Sequence, residues 1–228
     1  LILGIDFRPA TGELYALGSS NRLYTINTSN GIATAIGSPF ATSLSGVEFG
    51  FDFNPTVDRV RVTSDSGQNL RLNPNTGAIA ATDTNLAFAA GDPNFGARPN
   101  IVGSAYTNNF AGSNSTTLYN IDSKLNALVT QVPPNNGTLN TIGNLGYDVS
   151  SIVGFDILGV NTAYAAFTID GDFRSAFYSI NLTTGAATQL GAIGGTALQI
   201  RDIALVPEPA TLIALGLGLL VARRKRRA

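Results

Sequence analysis

Leu23-Tyr24-Thr25-Ile26-Asn27-Thr28-Ser29-Asn30-Gly31-Ile32-Ala33-Thr34-Ala35-Ile36-Gly37 returns near the other end of the chain as Phe177-Tyr178-Ser179-Ile180-Asn181-Leu182-Thr183-Thr184-Gly185-Ala186-Ala187-Thr188-Gln189-Leu190-Gly191. Tyr, Ile-Asn, Gly, Ala-Thr and the closing Gly are identical at matching positions. Each copy reads as an alternating apolar run, an Asn/Ser/Thr segment ending on Gly, and a second short run. That is β-hairpin chemistry, with Gly supplying the positive φ of the turn. Shorter copies are Leu70-Arg71-Leu72-Asn73-Pro74-Asn75-Thr76-Gly77 and Leu118-Tyr119-Asn120-Ile121-Asp122.

A second motif precedes each hairpin: Gly4-Ile5-Asp6-Phe7, Gly50-Phe51-Asp52-Phe53, a degenerate Gly103-Ser104-Ala105-Tyr106, Gly154-Phe155-Asp156-Ile157, and a trace in Arg201-Asp202-Ile203. Positions 6, 52, 105, 156 and 202 are separated by 46, 53, 51 and 46 residues. A period near fifty that holds about four short strands is that of a β-propeller blade. Second strands come next at Glu13-Leu14-Tyr15-Ala16-Leu17 and Arg59-Val60-Arg61-Val62-Thr63, after the turn segments Pro9-Ala10-Thr11-Gly12 and Pro55-Thr56-Val57-Asp58. The expected fold is all-β, with β-propeller-like repeats in about four visible blades plus a closing strand at 200–206, followed by a short C-terminal apolar helix. An open β-solenoid and a β-sandwich are the alternatives. In a closed ring the incomplete last blade is finished by strands from the N-terminus, which places those strands ahead of Leu1.

Composition narrows the chemistry. The chain has 228 residues, 44% hydrophobic, enough for a buried core. Cys, Met, Trp and His are absent, which excludes disulfides, thiolate or imidazole metal sites, and Cys or His catalysis. The first residue is Leu1, so a removed or omitted N-terminus carrying an export signal is expected. The net charge of −1 hides two regions. Residues 223–227 hold five of the fourteen basic residues, leaving residues 1–206 with nine basic against fourteen acidic groups, a net of −5. With Lys124 its single lysine, this acidic part is unsuited to nucleic acid, which is bound by neutralising phosphates.

The end of the chain has three zones. Val206, Pro207, Glu208 and Pro209 are followed by thirteen uncharged residues, 210–222, whose apolar members are Ala210, Leu212, Ile213, Leu215, Leu217, Leu219, Leu220 and Val221. Arg223, Arg224, Lys225, Arg226 and Arg227 close the pattern. The prolines insulate the repeats from the apolar run. A thirteen-residue helix would be about 20 Å long, a marginal span that tilting and snorkelling arginines would extend. The basic end stays cytoplasmic, so the repeat domain, residues 1–206, lies outside, and residues 207–228 are a sorting and anchor segment.

These zones closely resemble the PEP-CTERM sorting signal of Gram-negative bacteria. The resemblance implies that an exosortase-type transpeptidase recognises Pro207, Glu208 and Pro209, cleaves there, and releases a precursor held transiently in the inner membrane to the cell envelope or extracellular matrix. The stretches from Gly4 to Leu17 and from Gly50 to Val62 resemble a bacterial family known as domain of unknown function 4394, which covers most of residues 1–206. That resemblance supports the repeat boundaries and a secreted context, and it implies no activity.

Candidate chemistry rests on carboxylates. Asp6, Asp52, Asp156 and Asp202 recur once per repeat, so in a ring they would stand at equivalent heights and could hold Ca2+; no cofactor is otherwise expected. Alternatively each accepts backbone N–H groups and pins a neighbouring blade, which explains the periodicity without a ligand. Asp170-Gly171-Asp172 reads as a hairpin turn rather than a calcium loop. Asp58, Arg59, Arg61, Asp65 and Arg71 read as cross-strand pairs on a solvated face. The Asn-x-Ser/Thr sequences at Asn27, Asn114, Asn136 and Asn181 read as turns. The turn-rich segment 85–100, containing Gly91-Asp92-Pro93-Asn94-Phe95-Gly96, is the best candidate contact surface. Two functions remain open: a non-enzymatic module that binds exopolysaccharide or envelope proteins, and a secreted carboxylate- and Ca2+-dependent glycan or lactone hydrolase or lyase in which Asp52, Asp156 and Glu48 are candidate acids and no pair stands out.

Overall fold

The computed structural model describes residues 1–195 and 197–206. The expected C-terminal helix and its basic end lie outside the described residues. Among the described residues no helix is long and apolar enough to cross a membrane.

Among the described residues, seventeen strands build four blades of a β-propeller. Blade 1 is β1 (Ile2–Phe7), β2 (Leu14–Gly18), β3 (Arg22–Ile26) and β4 (Ala33–Ile36), and blade 2 is β5 (Phe49–Asn54), β6 (Arg59–Ser64), β7 (Asn69–Leu72) and β8 (Ile79–Thr82). A short β9 (Ala87–Phe88) precedes blade 3, which is β10 (Ile101–Tyr106), β11 (Leu118–Asp122), β12 (Ala127–Gln131) and β13 (Thr138–Asn144). Blade 4 is β14 (Val149–Leu158), β15 (Thr162–Ile169), β16 (Ser175–Ile180) and β17 (Ala187–Ala192). Each blade is an antiparallel meander in sequence order; β9 adds to blade 3 by pairing parallel with β13.

The quoted hairpins form as their side chains dictate. In blades 1, 2 and 4 the Asn after the third strand, Asn27, Asn73 or Asn181, accepts the amide two residues on at 2.9–3.0 Å, an Asx turn. Gly31, Gly77 and Gly185 then close each turn at φ 73°, 69° and 81°, donating back to the same Asn carbonyl. The weak copy Leu118–Asp122 departs from this reading, because β11 is the second strand of its blade, not the third. The long connection 107–117 between β10 and β11 shifts the local sequence against the repeat.

The glycine of the second motif has a packing reason. A Cβ on Gly4 would stand 2.5 Å from Phe51 Cβ of blade 2, one on Gly50 2.2 Å from Ser104 Oγ of blade 3, and one on Gly103 3.1 Å from Phe155 Cβ of blade 4. A Cβ on Gly154 would meet Asp202 and the Ile203 amide within 2.8 Å. The glycine backbone of each inner strand therefore packs directly against the next inner strand, in the order blade 1, 2, 3, 4 and then segment 201–206. The Asp202 Oδ2 accepts the Ile5 amide of β1 at 2.7 Å, so this segment closes the ring between blades 4 and 1. It belongs to no ladder among the described residues.

Three apolar clusters form among the described residues, one of them packing Leu86 and Phe88 of segment 85–100 on Ile101, Val129 and Leu139 of blade 3. Phe49, Phe51 and Phe53 pack with Tyr15, Leu17 and Leu23 between blades 1 and 2, and Phe155, Phe167 and Tyr178 with Ile121 and Leu128 between blades 3 and 4. On either side of the closing segment the outer faces are less covered. Ile2, Ala16 and Tyr24 of blade 1 line an open cleft of about 340 Å3, and Tyr164 stacks on Phe177 of blade 4 with centroids 5.1 Å apart.

The inner glycines make a direct prediction. Gly4→Ala forces blades 1 and 2 apart and is expected to cost roughly 1–3 kcal/mol, as overpacking does. Gly191→Ala, where a new Cβ meets nothing within 4 Å, is expected to leave the melting temperature unchanged. Thermal denaturation of the two variants checks both.

Candidate functional site

An inner strand has a ladder partner on one side only, so the other edge of its backbone faces the axis with amides that need acceptors. The repeated aspartates supply them. Asp6 Oδ2 accepts the Phe53 amide of the next blade at 2.8 Å, and Asp52 Oδ1 accepts the Tyr106 amide at 3.1 Å. Asp156 takes its own Ile157 amide on Oδ1 and the Leu205 amide of the closing segment on Oδ2, at 2.6 and 2.5 Å. Asp202 takes Ile203 and Ile5 in the same way. Blade 3 carries Ala105 where the others carry Asp, and its connection takes over the task. Asn109 Oδ1 accepts the Gly159 amide of blade 4 at 3.0 Å, while the Asn108 amide donates to the Gly159 carbonyl.

The four carboxylates are not all at one height. Asp6 and Asp52 each reach the residue after the next inner strand's motif position, whereas Asp156 reaches Leu205, three residues after Asp202, and Asp202 reaches Ile5, one residue before Asp6. The closing segment is therefore slid two residues along the axis, roughly 7 Å at the rise of a strand, and Ala204 stands where a fourth Asp was expected. Asp6, Asp52 and Asp156 alone come together, each offering an oxygen within 4.8 Å of the others. They are 4%, 2% and 2% exposed.

Three carboxylates this close and this dry cannot all be charged at ordinary cost. Burial raises Asp52 and Asp6 well above the usual carboxylate range, the neighbouring carboxylates adding to it, and burial raises Asp156 to about 6 and Asp202 well above its ordinary value. Either protons or a cation must compensate the triad. Hard oxygen ligands suit Ca2+, and three carboxylates supply half of the six or more oxygens it takes.

Arg201 of the closing segment pairs with Glu48 just before β5, whose carboxyl is pushed up by burial against the pull of that guanidinium. Between blades 2 and 3 the Arg61 and Asp83 charges are buried, while Arg71 keeps a third of its side chain exposed. Arg61 and Arg71 stand directly opposite each other, Arg61 only 1% exposed, and Asp83 lies between them with oxygens 2.6 Å from Arg61 and 2.8 Å from Arg71. Burial pushes Asp83 up, but the two guanidiniums outweigh it and hold the carboxyl below its ordinary value. Asn69 accepts a second bond from the Arg61 Nη1, Asn135 one from Nη2 and the Tyr106 hydroxyl one from Nε, so every guanidinium nitrogen is satisfied. Arg61 and Arg71 were expected to pair with Asp58 or Asp65; instead Asp58 pairs with Arg8 of blade 1, and Asp65 accepts the Val47 amide. Asp83, a single acid outside any repeat, gave the sequence no signal.

Segment 85–100 is anchored rather than loose. β9 pairs with β13, and Asp92 accepts both the amide and hydroxyl of Thr141 at 2.6 and 2.9 Å. Asp170 and Gly171 form a turn, as expected. Val206 is described and exposed; Pro207, Glu208, Pro209, the apolar run and the basic cluster lie outside the described residues.

Comparisons with known proteins agree with this anatomy. The profile of a family described as a domain of unknown function (DUF4394) matches residues 1–204, and that of the PEP-CTERM protein-sorting motif matches residues 205–227. None of the curated proteins matches this chain. Among solved structures, a chain of a nidogen/laminin complex is 13% identical at a TM-score of 0.51, covering 80% of this chain and 63% of its own. Hydrazine synthase of Kuenenia stuttgartiensis is 12% identical at 0.49, covering 84% and 49%. PorZ, a surface component of the type-IX secretion system of Porphyromonas gingivalis, is 13% identical at 0.45, covering 86% and 23%. This chain thus spans about half the length of the hydrazine synthase chain and under two thirds of the other two. The nidogen/laminin likeness extends to the fold alone.

The raised carboxyls predict an inverted pH response. The folded state holds protons more tightly than the unfolded chain between the ordinary value near 3.8 and about 6, so stability rises as pH falls through that window and is lost as pH rises above it. Asp156 alone accounts for on the order of 3 kcal/mol between pH 8 and pH 4. In chelator, the melting temperature should be several degrees higher at pH 5 than at pH 8. Asp52→Asn, which keeps an oxygen for the Tyr106 amide and removes a charge, should flatten that difference and melt above wild type at pH 8. Asp52→Ala, which strands the amide, should melt below it by roughly 1–3 kcal/mol.

Proposed function

The chain belongs to the DUF4394 family and ends in a PEP-CTERM protein-sorting motif, and from that premise we propose that its propeller is a non-enzymatic binding or structural module of the cell envelope or extracellular matrix. The motif makes it an exported protein processed by an exosortase, anchored transiently in the membrane beforehand. What supports the finer reading is the occupation of the axial carboxylates. Each repeated Asp holds a backbone amide of its neighbour, so the residues that looked most like an active centre serve to weld the ring. A welded ring presents its connecting loops as a rigid surface, the usual platform for recognition.

A second reading draws on the Asp6, Asp52 and Asp156 cluster: a secreted Ca2+-dependent hydrolase or lyase acting on glycans or lactones. It requires the triad to take the cation and admit substrate. Calcium separates the two. A site that binds Ca2+ in the folded state raises the melting temperature with ligand concentration. The binding-module reading expects carbohydrate or protein capture without turnover. Lactone or glycan hydrolysis that Ca2+ restores after chelation would replace it with the enzyme.

Sorting has its own test. Glu208→Ala is expected to leave the precursor in the membrane fraction unprocessed in a host with an exosortase, while the propeller's melting temperature is unchanged. Release of that variant at the wild-type rate would remove the motif from its assigned role.

A further inference from the structure

The nine basic residues of the propeller are unevenly employed. Arg8, Arg61, Arg71 and Arg201 are tied into ion pairs, and Arg59 is held by backbone carbonyls. Arg98 and Lys124 make no ion pair among the described residues, both are exposed, and both line the same open cleft of about 360 Å3. In a domain of net charge −5, two unpaired cations on one cleft form a local exception to the surrounding field.

The cleft is built from equivalent parts of adjacent blades. Its floor is the turn between β6 and β7, with Asp65 and Ser66, facing the turn between β11 and β12, which carries Lys124. Arg98, Pro99 and Asn100 complete it as segment 85–100 runs into β10. The frame is fixed. The Asn100 amide donates to Asp122 at 2.9 Å and its Nδ2 to Ser123, while Asp122 Oδ1 accepts the Lys124 amide at 3.0 Å. Ser66 Oγ bonds the Ser45 carbonyl at 2.8 Å. Asp65 spends Oδ1 on the Val47 amide, and its second oxygen takes no hydrogen bond from the described residues. The cleft thus combines two cationic donors with one carboxylate acceptor on a held backbone, in a volume at the small end of ligand pockets.

We propose that this cleft binds a uronate residue of an acidic polysaccharide. The sugar carboxylate lies between the Arg98 guanidinium and the Lys124 ammonium, where charge-assisted hydrogen bonds are strongest, and Asp65 accepts from a ring hydroxyl. The acidic remainder of the domain repels a longer polyanion, so recognition is confined to one or two sugars at a chain end or branch. The site rests on the binding-module reading and names its ligand class.

Titration calorimetry with a galacturonate hexasaccharide tests it, with cellohexaose as the neutral counterpart. Wild type is expected to bind the uronate with an affinity that falls as salt rises. The double variant Arg98→Gln/Lys124→Gln should lose about tenfold or more in affinity, consistent with one or two charge-assisted contacts, with its melting temperature unchanged. Arg174→Gln, an exposed cation not lining the cleft, should bind as wild type. Undiminished uronate binding by the double variant overturns the site, as does the absence of uronate binding by wild type. In the latter case, binding of cellohexaose leaves the module reading standing and removes only this cleft.

Discussion

The bond from a carboxylate on one inner strand to a backbone amide on the next is the interaction on which this propeller depends. A radial sheet leaves its innermost strand with an unpaired edge, here at a depth where Asp6, Asp52 and Asp156 are themselves almost wholly buried. An amide stranded there costs about 1–3 kcal/mol. Closing the gap with Asp requires the strands to approach within reach of a two-carbon side chain, which is why Gly4, Gly50 and Gly154 carry no Cβ two residues before each Asp. The glycine and the aspartate of the motif are thus one device. Its cost is electrostatic: three acids converge on an axis that has no counter-ion among the described residues.

The interfaces around the ring are held by different means, although the repeats are related. Blades 1 and 2 share a Phe-rich core, with the rings of Tyr15 and Phe53 meeting edge to face at 5.1 Å. Blades 2 and 3 share a buried hydrogen-bond network in which Asp83 bridges two guanidiniums, and Thr63, Ser104, Asn120 and Gln131 continue it with contacts of 2.5–3.1 Å. Blades 3 and 4 return to apolar packing, where Ala105 replaces the Asp and Asn109 of the connection supplies the lost acceptor. A satisfied polar interface tolerates little variation, since removing one partner strands several others.

Much of the fold was legible because it is repeated. The fifty-residue period, the Asn-x-x-x-Gly turns and the strand alternation all arise from local chemistry that the sequence states several times. Features stated once were harder to read. The 107–117 connection displaced Leu118–Asp122 from third strand to second, and no local signal distinguishes the two. Arg61 looked like a surface residue because its neutralising partner, Asp83, lies 22 positions away outside any motif. The four aspartates were expected at equivalent heights, but only Asp6, Asp52 and Asp156 come together; the two-residue slide of the closing segment depends on the Asp156 to Leu205 contact between distant strands, which spacing alone does not encode.

The closing segment is also the mechanical seam of the molecule. It is held by isolated side-chain contacts, Leu205 to Asp156, Ile5 to Asp202 and Arg201 to Glu48, where the other inner strands are held by whole ladders. Pro207 comes two residues after Leu205, so tension applied to the C-terminal end reaches the ring with almost no slack. Such a load breaks those contacts one after another, as in peeling, rather than loading a row of bonds in shear. The point by which the protein is sorted is therefore the point from which its ring opens most easily.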